Sequence, residues 1–553
     1  MVGQAKIISS GGLCMDRREY QIFGPPGTGK TTYLANQIKL AAEKFGPQAV
    51  LVASFTRAAA TEITSRGLPV DRMNVGTLHA ICYRALGSPR VAAEFIDDWN
   101  RENETWALSG GSVSLDDPDE FVGSTDGDQL LSALSVLRAK MVDPALYPNS
   151  VANFAARWSA WKKENNLVDY TDMIDLAYRN IEMPPGYPTV GFFDEVQDFT
   201  PLELALIRLW AAHMHSVVLA GDDDQSVYAF KGADPEAFFK HPVPEENKRV
   251  LAQSYRVPRL VQTEADRWVQ RLSSRVAKEY FPRDADGRVV RLGDGSYLNP
   301  EPLLRHIDGY LAAGKRVMIL GACAYMLDPI KRVFRDRGYP YHNPYRRKRP
   351  DWNPLFNKQA SSGGLSTADR LLAYLLPSVH YFGDQSRMWY PADLQKWVSL
   401  LAVKGVLQPG HKILLEEMGL ADGDPLSSDQ LLSLFTPGGL RGAYSVDPDW
   451  LLSSAASAKK KSLEYPVRVL KKFGVPALAN DPLITIGTIH SVKGGEADVV
   501  FLFPDISFAG MQGWQAGGTA DRDSLIRQFY VGMTRAREEL VLCSPAGPCH
   551  IRL

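Results

Sequence analysis

The sequence is short of several features that would assign its class at once. Its 553 residues include five cysteines, Cys14, Cys82, Cys323, Cys543 and Cys549. They are odd in number and scattered, with no C-x-x-C pair, so neither a disulfide framework nor a zinc site is expected. A reducing, cytoplasmic setting follows from that cysteine usage. No apolar run reaches the roughly 18 residues of a membrane-spanning helix, so no membrane partner is expected. The N-terminus lacks a long apolar core, so no signal peptide is expected either. A surplus of positive charge is also missing: 62 Lys and Arg stand against 63 Asp and Glu, a formal net charge of −1. Nucleic-acid binding through a global positive field is thereby excluded, and any such site has to be a local groove. What remains is ordinary globular composition, 45% hydrophobic and 23% charged. The length suits roughly three or four structural units.

Against that plain background one string carries chemistry. Gly24-Pro25-Pro26-Gly27-Thr28-Gly29-Lys30-Thr31 has the pattern G-x-x-x-x-G-K-T of a phosphate-wrapping loop. The strand-like Tyr20–Phe23 precedes it, and Thr32–Glu43 follows with helical spacing of Leu34, Ile38 and Leu40. Gly24, Gly27 and Gly29 let backbone N–H groups turn toward phosphate, and the helix N-terminus adds a favourable dipole. Lys30 is expected to reach the β- and γ-phosphates, Thr31 to bind Mg²⁺, and Thr32 to belong to the same nucleotide cradle.

Strand-like and helix-like patterns alternate in two stretches, which argues for parallel sheets covered by helices. The first stretch covers 1–85 and 165–255, with strands expected at Ala49–Ser54, Thr189–Asp194 and Ser216–Gly221. The second covers 256–377 and 478–553, with strands expected at Val317–Gly321, Leu483–Gly487, Val499–Phe503 and Glu539–Cys543. Each is interrupted by an insert read as mostly helical, 86–164 in the first and 378–477 in the second. No internal repeat is found.

Phe192-Phe193-Asp194-Glu195-Val196-Gln197-Asp198 places two carboxylates at the end of an apolar strand. Asp194 there can hold Mg²⁺, and Glu195 can take a proton from an attacking water. Ser216–Ala220 ends in Gly221-Asp222-Asp223-Asp224-Gln225-Ser226-Val227-Tyr228-Ala229-Phe230-Lys231-Gly232-Ala233, which sets a polar Gln225 close to aromatics. With Tyr530-Val531-Gly532-Met533-Thr534-Arg535-Ala536-Arg537, these strings resemble superfamily-1 helicases of the UvrD/Rep/PcrA group. Ser54-Phe55-Thr56-Arg57, Gly76-Thr77-Leu78-His79, Ser254-Tyr255-Arg256 and Thr488-Ile489-His490-Ser491-Val492-Lys493-Gly494-Gly495-Glu496 extend the resemblance in the family's order.

The resemblance implies two RecA-like parallel-sheet domains of the phosphate-loop NTPase type, each with one accessory insert. It implies ATP and Mg²⁺ in a cleft where Lys30, Thr31, Asp194, Glu195 and Gln225 face Arg256 and Arg535. Those two cations would meet the charge that develops on the γ-phosphoryl group. Tyr255 would stack near adenine and Glu496 would lie near the ribose. Single-stranded DNA and strand junctions are the implied partners, with Phe55, Tyr228 and Phe230 meeting bases and Thr56, His79 and His490 meeting the backbone. The expected activity is ATP-driven movement along one strand, 3′→5′, with duplex unwinding. The alternatives are a translocase that never separates strands, or a nucleotide switch that gates a protein partner.

Some features depart from the family pattern. The upstream glutamine that recognises adenine has no good counterpart, since Gln4 lies too far from the loop. Lys231 stands where arginine is common, and lysine lacks the planar fork. The second insert looks short, and no long C-terminal tail is expected to recruit protein partners. Tyr341–Trp352 interleaves basic and aromatic residues, which suits either a solvated loop or a nucleic-acid contact.

Overall fold

A computed structural model describes residues 18–55, 67, 69–109, 125–346, 352–356, 364–376, 389–419 and 425–553. Gln4, Thr56 and the basic residues Arg347, Lys348 and Arg349 lie outside the described residues.

Six strands pair side by side in parallel. They are β1 (Arg18–Phe23), β2 (Val50–Ser54), β3 (Val75–Thr77), β4 (Val190–Asp194), β5 (Ser216–Gly221) and β6 (Lys248–Val250), in the order β3-β2-β4-β5-β1-β6. The sequence explains their burial. Alternate residues of each apolar run point to opposite faces, and here both faces are covered, as in sheets flanked by helices. Ile22, Val50, Val52, Phe192, Val218 and Ala220 pack on one face with Leu34, Ile38 and Ala42 of the helix Lys30–Phe45. Phe23, Leu51, Ala53, Phe193, Val217 and Leu219 pack on the other with Leu78, Ile81, Met173 and Trp210.

Register sets the site. Phe23 lies opposite Gly221, and Asp194 opposite Ala220. The loops leaving β1, β4 and β5 therefore emerge together at the carboxyl edge of the sheet, where ligands of open α/β sheets bind.

Further along run β7 (Gln253–Pro258), β8 (Phe281–Arg283), β9 (Arg288–Arg291), β10 (Val317–Gly321), β11 (Ile484–Thr488), β12 (Ala497–Leu502) and β13 (Ala536–Leu542). β7 pairs with β8, and β13 lies between β12 and β9, all in parallel. The fold is α/β with parallel sheets, consistent with two RecA-like domains. Chain contacts divide it into two bodies. One holds the residues up to Gly293 with Leu320–Ala324 and Thr488–Leu553, and the other holds Asp294–Ile319 with Tyr325–Gly487. In the second body the Val317 N–H donates to the Leu483 carbonyl at 2.9 Å, and helices including Thr367–Leu375, Pro391–Trp397 and Ser457–Phe473 follow. Among the described residues no helix is long and apolar enough to cross a membrane.

The strands expected from apolar runs form within a few residues of their expected bounds. β3, β6, β7, β8 and β9 were not expected. β3, β6, β8 and β9 have only three or four residues, β7 mixes Gln253, Ser254 and Arg256 into its six, and β6 and β9 carry Lys248, Arg249, Arg288 and Arg291. Such segments at the rim of a sheet lack the hydrophobic run that marks a central strand.

Between β3 and β4, a helical segment builds its own core on Trp99, Phe154, Trp158 and Trp161. Trp99 stands edge-on to the other three, at ring-centroid distances of 5.8, 4.9 and 5.4 Å. Its indole N–H donates to the Trp106 carbonyl at 2.9 Å. Replacing Trp99 by Ala is expected to cost about 3–5 kcal/mol, read as a lower denaturation midpoint. A midpoint equal to wild type would contradict this packing.

Candidate functional site

The loop after β1 is built by its glycines and held from behind. Gly24 N–H donates to the Gly221 carbonyl at 3.0 Å, tying the loop to β5. Gly27 and Gly29 have φ of +74° and +75°, a region that penalises a side chain. A Cβ on Gly27 would also come within 2.4 Å of Arg256 Cβ. The Pro26 carbonyl accepts from Ser254 Oγ at 2.9 Å and from Tyr280 Oη at 2.8 Å. Tyr255 N–H donates to the Gly27 carbonyl at 2.8 Å, while its ring is 68% exposed beside Gly29. The helix Lys30–Phe45 begins at Gly29 with no side-chain cap, so its first N–H groups suit an anion. Thr31 and Thr32 lie in that first turn.

Lys30 donates to Asp194 Oδ1 and, at 2.6 Å, to Glu195 Oε1. Burial opposes its charge, but these two carboxylates hold the ammonium above its ordinary pKa. Glu195 sits at the end of β4 with φ of +59°. Burial works against its anion too, yet Lys30 and Lys493 hold its carboxyl well below the usual range. Gln197 Nε2 donates to Glu195 Oε2 at 2.6 Å, while its Oε1 accepts from Asp222 N–H at 3.0 Å. Lys493 pairs with Asp198 and donates to the Gln225 carbonyl at 2.9 Å. Burial pushes Asp198 up to about 6 in spite of Lys493. An oxygen-rich strand end beside a lysine and an uncapped helix start fits a Mg²⁺–triphosphate group.

The two arginines have different partners. Arg535 is 2% exposed. Its Nη2 donates to Gln225 Oε1 at 2.9 Å, its Nη1 to the Gly495 carbonyl at 3.2 Å and its Nε to the Val531 carbonyl at 2.9 Å. Arg256 Nε donates to Glu496 Oε2 at 2.8 Å, and Arg537 takes the other oxygen of Glu496. Burial opposes the Glu496 anion, but Arg256 and Arg537 hold it below its ordinary pKa. Lys30, Asp194, Glu195, Gln225 and Arg535 are thus joined through Lys493, and Gly27, Arg256 and Glu496 form a second line beside them.

The aromatics expected at nucleic acid form a row. Ring centroids lie 4.9 Å apart for Phe55 and Tyr228, 6.0 Å for Tyr228 and Phe230, and 5.5 Å for Phe230 and His490. Phe55 and Phe230 are half-buried. Tyr228 is only 5% exposed, so it packs the row from beneath instead of offering a free face. His79 lies off the row, with Nδ1 3.5 Å from Glu203 Oε1. Burial and then Lys231 lower its pKa to about 4.

The UvrD/REP helicase N-terminal domain matches residues 11–242, and the UvrD-like helicase C-terminal domain matches 483–543. The chain belongs to the UvrD/Rep/PcrA group of superfamily-1 helicases. It is 23% identical over 359 residues to the ATP-dependent DNA helicase PcrA of Staphylococcus aureus strain Mu50, covering 59% of this chain and 48% of that protein. It is 24% identical over 356 residues to the ATP-dependent DNA helicase Rep of Buchnera aphidicola, covering 58% and 52%. It is 27% identical over 287 residues to the putative ATP-dependent DNA helicase YjcD of Bacillus subtilis, covering 46% and 37%. The chain thus spans about half the length of the curated relatives it matches.

In this UvrD-type chain several site residues escaped the sequence reading. Asp222, Asp223 and Asp224 are fully buried. They are balanced by Lys278 and by Arg275, whose Nε and Nη2 lie 3.0 and 2.6 Å from the two Asp224 oxygens. Tyr280 under the loop and Gln197 behind Glu195 were also missed. The aspartate run was visible, but nothing in local spacing links it to a lysine 56 residues from Asp222.

His490 shows how tightly the row is fixed. One ring nitrogen, Nε2, lies 3.1 Å from the Val227 carbonyl and therefore carries the proton. The other, Nδ1, lies 3.3 Å from Gln528 Nε2 and accepts. A protonated ring could not accept, and burial lowers its pKa to about 4. The folded imidazole refuses a proton that the unfolded one takes near 6.5, so its contribution to stability is present above 6.5 and lost as pH falls toward 4. Imidazole NMR is expected to show a neutral His490 ring at pH 5.5. Titration of that ring at its ordinary pKa would contradict the arrangement.

Proposed function

We propose that this chain is an ATP-dependent DNA helicase that moves along single-stranded DNA. The observation that carries the proposal is the unbroken set of contacts from Lys30 in the phosphate loop, through Glu195, Lys493 and Gln225, to Arg535. The cation at each end belongs to a segment remote in sequence, which suits a triphosphate gripped between parts that can separate.

In this reading Lys30 exchanges its carboxylate partners for the β- and γ-phosphate oxygens of ATP. Thr31 and Asp194 would hold Mg²⁺, which would neutralise charge on the phosphates. Glu195, released from Lys30, accepts the proton of the attacking water. Gln225, Arg256 and Arg535 meet the charge on the γ-phosphoryl group, Tyr255 stacks on adenine and Glu496 lies near the ribose. Gly24, Gly27, Gly29 and Thr32 complete the phosphate cradle.

The same turn supports coupling to DNA. Lys493 holds the Gln225 carbonyl and His490 lies against the Val227 carbonyl. Phe230 follows three residues later, edge-on to His490. A displacement of Gln225 on hydrolysis would reach Phe230 through a few bonds. Phe55 and Phe230 would meet bases over Tyr228, while Thr56, His79 and His490 would line the backbone path. Movement 3′→5′ follows from the resemblance to the family.

Replacing Lys30 by Ala is expected to lower DNA-stimulated ATPase by about a hundredfold or more in a chain that still folds. ATPase at the wild-type rate would end the assignment of the phosphate site. With ATP and Mg²⁺, a 3′-tailed duplex is expected to be unwound in preference to a 5′-tailed one. Strand-stimulated ATPase without unwinding of either would leave a translocase, and ATPase indifferent to every nucleic acid would favour a nucleotide switch. Phe230→Ala is expected to reduce base pairs opened per ATP hydrolysed with ATP binding retained. Unchanged coupling would remove Phe230 from the grip.

A further inference from the structure

Lys278 lies just before β8, outside every string that resembles the helicase family. Its side chain is 1% exposed. Its ammonium sits 2.5 Å from Asp222 Oδ1, 2.5 Å from Asp223 Oδ1 and 3.0 Å from Asp224 Oδ2. Two of these aspartates have other support. Asp224 takes both nitrogens of the Arg275 fork. Asp223 Oδ2 accepts from Val276 N–H at 2.8 Å. Asp222 has a different second partner: its Oδ2 accepts from Gln225 Nε2 at 2.8 Å. The far end of that same amide, Oε1, accepts from Arg535 Nη2 at 2.9 Å.

An amide has one donor end and one acceptor end, whereas an ionised carboxylate only accepts. An anionic Asp222 therefore draws the Gln225 NH₂ toward itself and leaves the carbonyl oxygen for the guanidinium. A neutral Asp222 could donate instead, and the amide could then turn its NH₂ against Arg535. Burial drives Asp222 toward neutrality, and Lys278 is the cation that opposes this, with Asp223 and Asp224 adding repulsion.

We infer that Lys278 is a positioning residue for the ATP site: it keeps Asp222 an anion, which fixes the direction of the Gln225 amide and so the seat of Arg535. The inference rests on the reading of Gln225 and Arg535 as groups that face the γ-phosphate. A purely structural Lys278 would serve only to neutralise buried aspartates, and the two roles differ in what they do to the rate.

The experiment measures kcat and KM for ATP, with saturating single-stranded DNA, in the full chain and in Lys278→Met, Gln225→Ala and their double variant. Lys278→Met is expected to lower kcat by about tenfold or more, with KM for ATP changed by less than about twofold. Adding Lys278→Met to Gln225→Ala is expected to cost nothing further, because both act through one amide. An unchanged kcat, or losses that multiply in the double variant, would overturn the inference. Should Lys278→Met fail to fold in a thermal melt, Asp222→Asn decides in its place, since Lys278 then keeps Asp223 and Asp224. The same fall in kcat and the same lack of further loss with Gln225→Ala are expected, and a wild-type rate or multiplying losses would overturn it. A wild-type chain without nucleic-acid-stimulated ATPase would overturn the reading of the site and this inference together. A competent wild type with indifferent variants would overturn the role of Lys278 alone.

Discussion

Buried charge is the constraint around which the rest of this structure is arranged. Asp194, Asp198, Asp222, Asp223 and Asp224 are all buried near the phosphate loop, with Glu195 beside them. A buried anion without a partner is among the most expensive things a protein can contain. Here the partners are Lys30, Arg275, Lys278 and Lys493. The carboxylates stand at the carboxyl edge of one parallel sheet, whereas three of the four cations come from segments after that sheet. The sheet edge therefore reaches electrical balance only when the later segments fold against it.

Such a cluster is poor evidence for stability, because hydrophobic groups of similar shape would often serve as well. Its value lies in what a charged guest can do there. Lys30 already holds two anionic partners where a triphosphate would sit, so binding exchanges one set of oxygens for another without stranding the ammonium. Lys30 and Lys493 hold Glu195 ionised but also weaken it as a base, and transfer of Lys30 to phosphate would restore its strength as a proton acceptor. Lys493 touches Asp198, Glu195 and the Gln225 carbonyl, so a change at one of them is felt at the others.

What the sequence made legible, and what it did not, divides along a physical line. Apolar runs such as Val50–Ser54 and Ser216–Gly221 mark central strands because both of their faces are buried, and the glycines of the phosphate loop announce a backbone that side chains would obstruct. Those signals are local. The pairing of Lys278 with Asp222 and of Lys493 with Asp198 spans 56 and 295 residues and leaves no local pattern. Exposure is equally silent: Tyr228 and Phe230 stand two residues apart in one string, yet the first is buried and the second half-buried. The short strands β6 and β9 escape for the opposite reason, since they are too polar to look like strands.

The segment 222–230 draws these threads together. Its first residues are pinned by cations, its middle carbonyls are held by Lys493 and His490, and its end carries Phe230 in the aromatic row. These contacts come from two other short stretches, residues 275–278 and 490–493, so the first residues and the rest of the segment are each tied to a separate stretch of the chain. A loop pinned only by apolar packing could absorb a small displacement by sliding, because dispersion is non-directional. Hydrogen bonds and ion pairs are directional and lengthen at a cost. The polar pinning between Gln225 and Phe230 is therefore what would let a change of about an ångström at a phosphate oxygen survive as motion at a base.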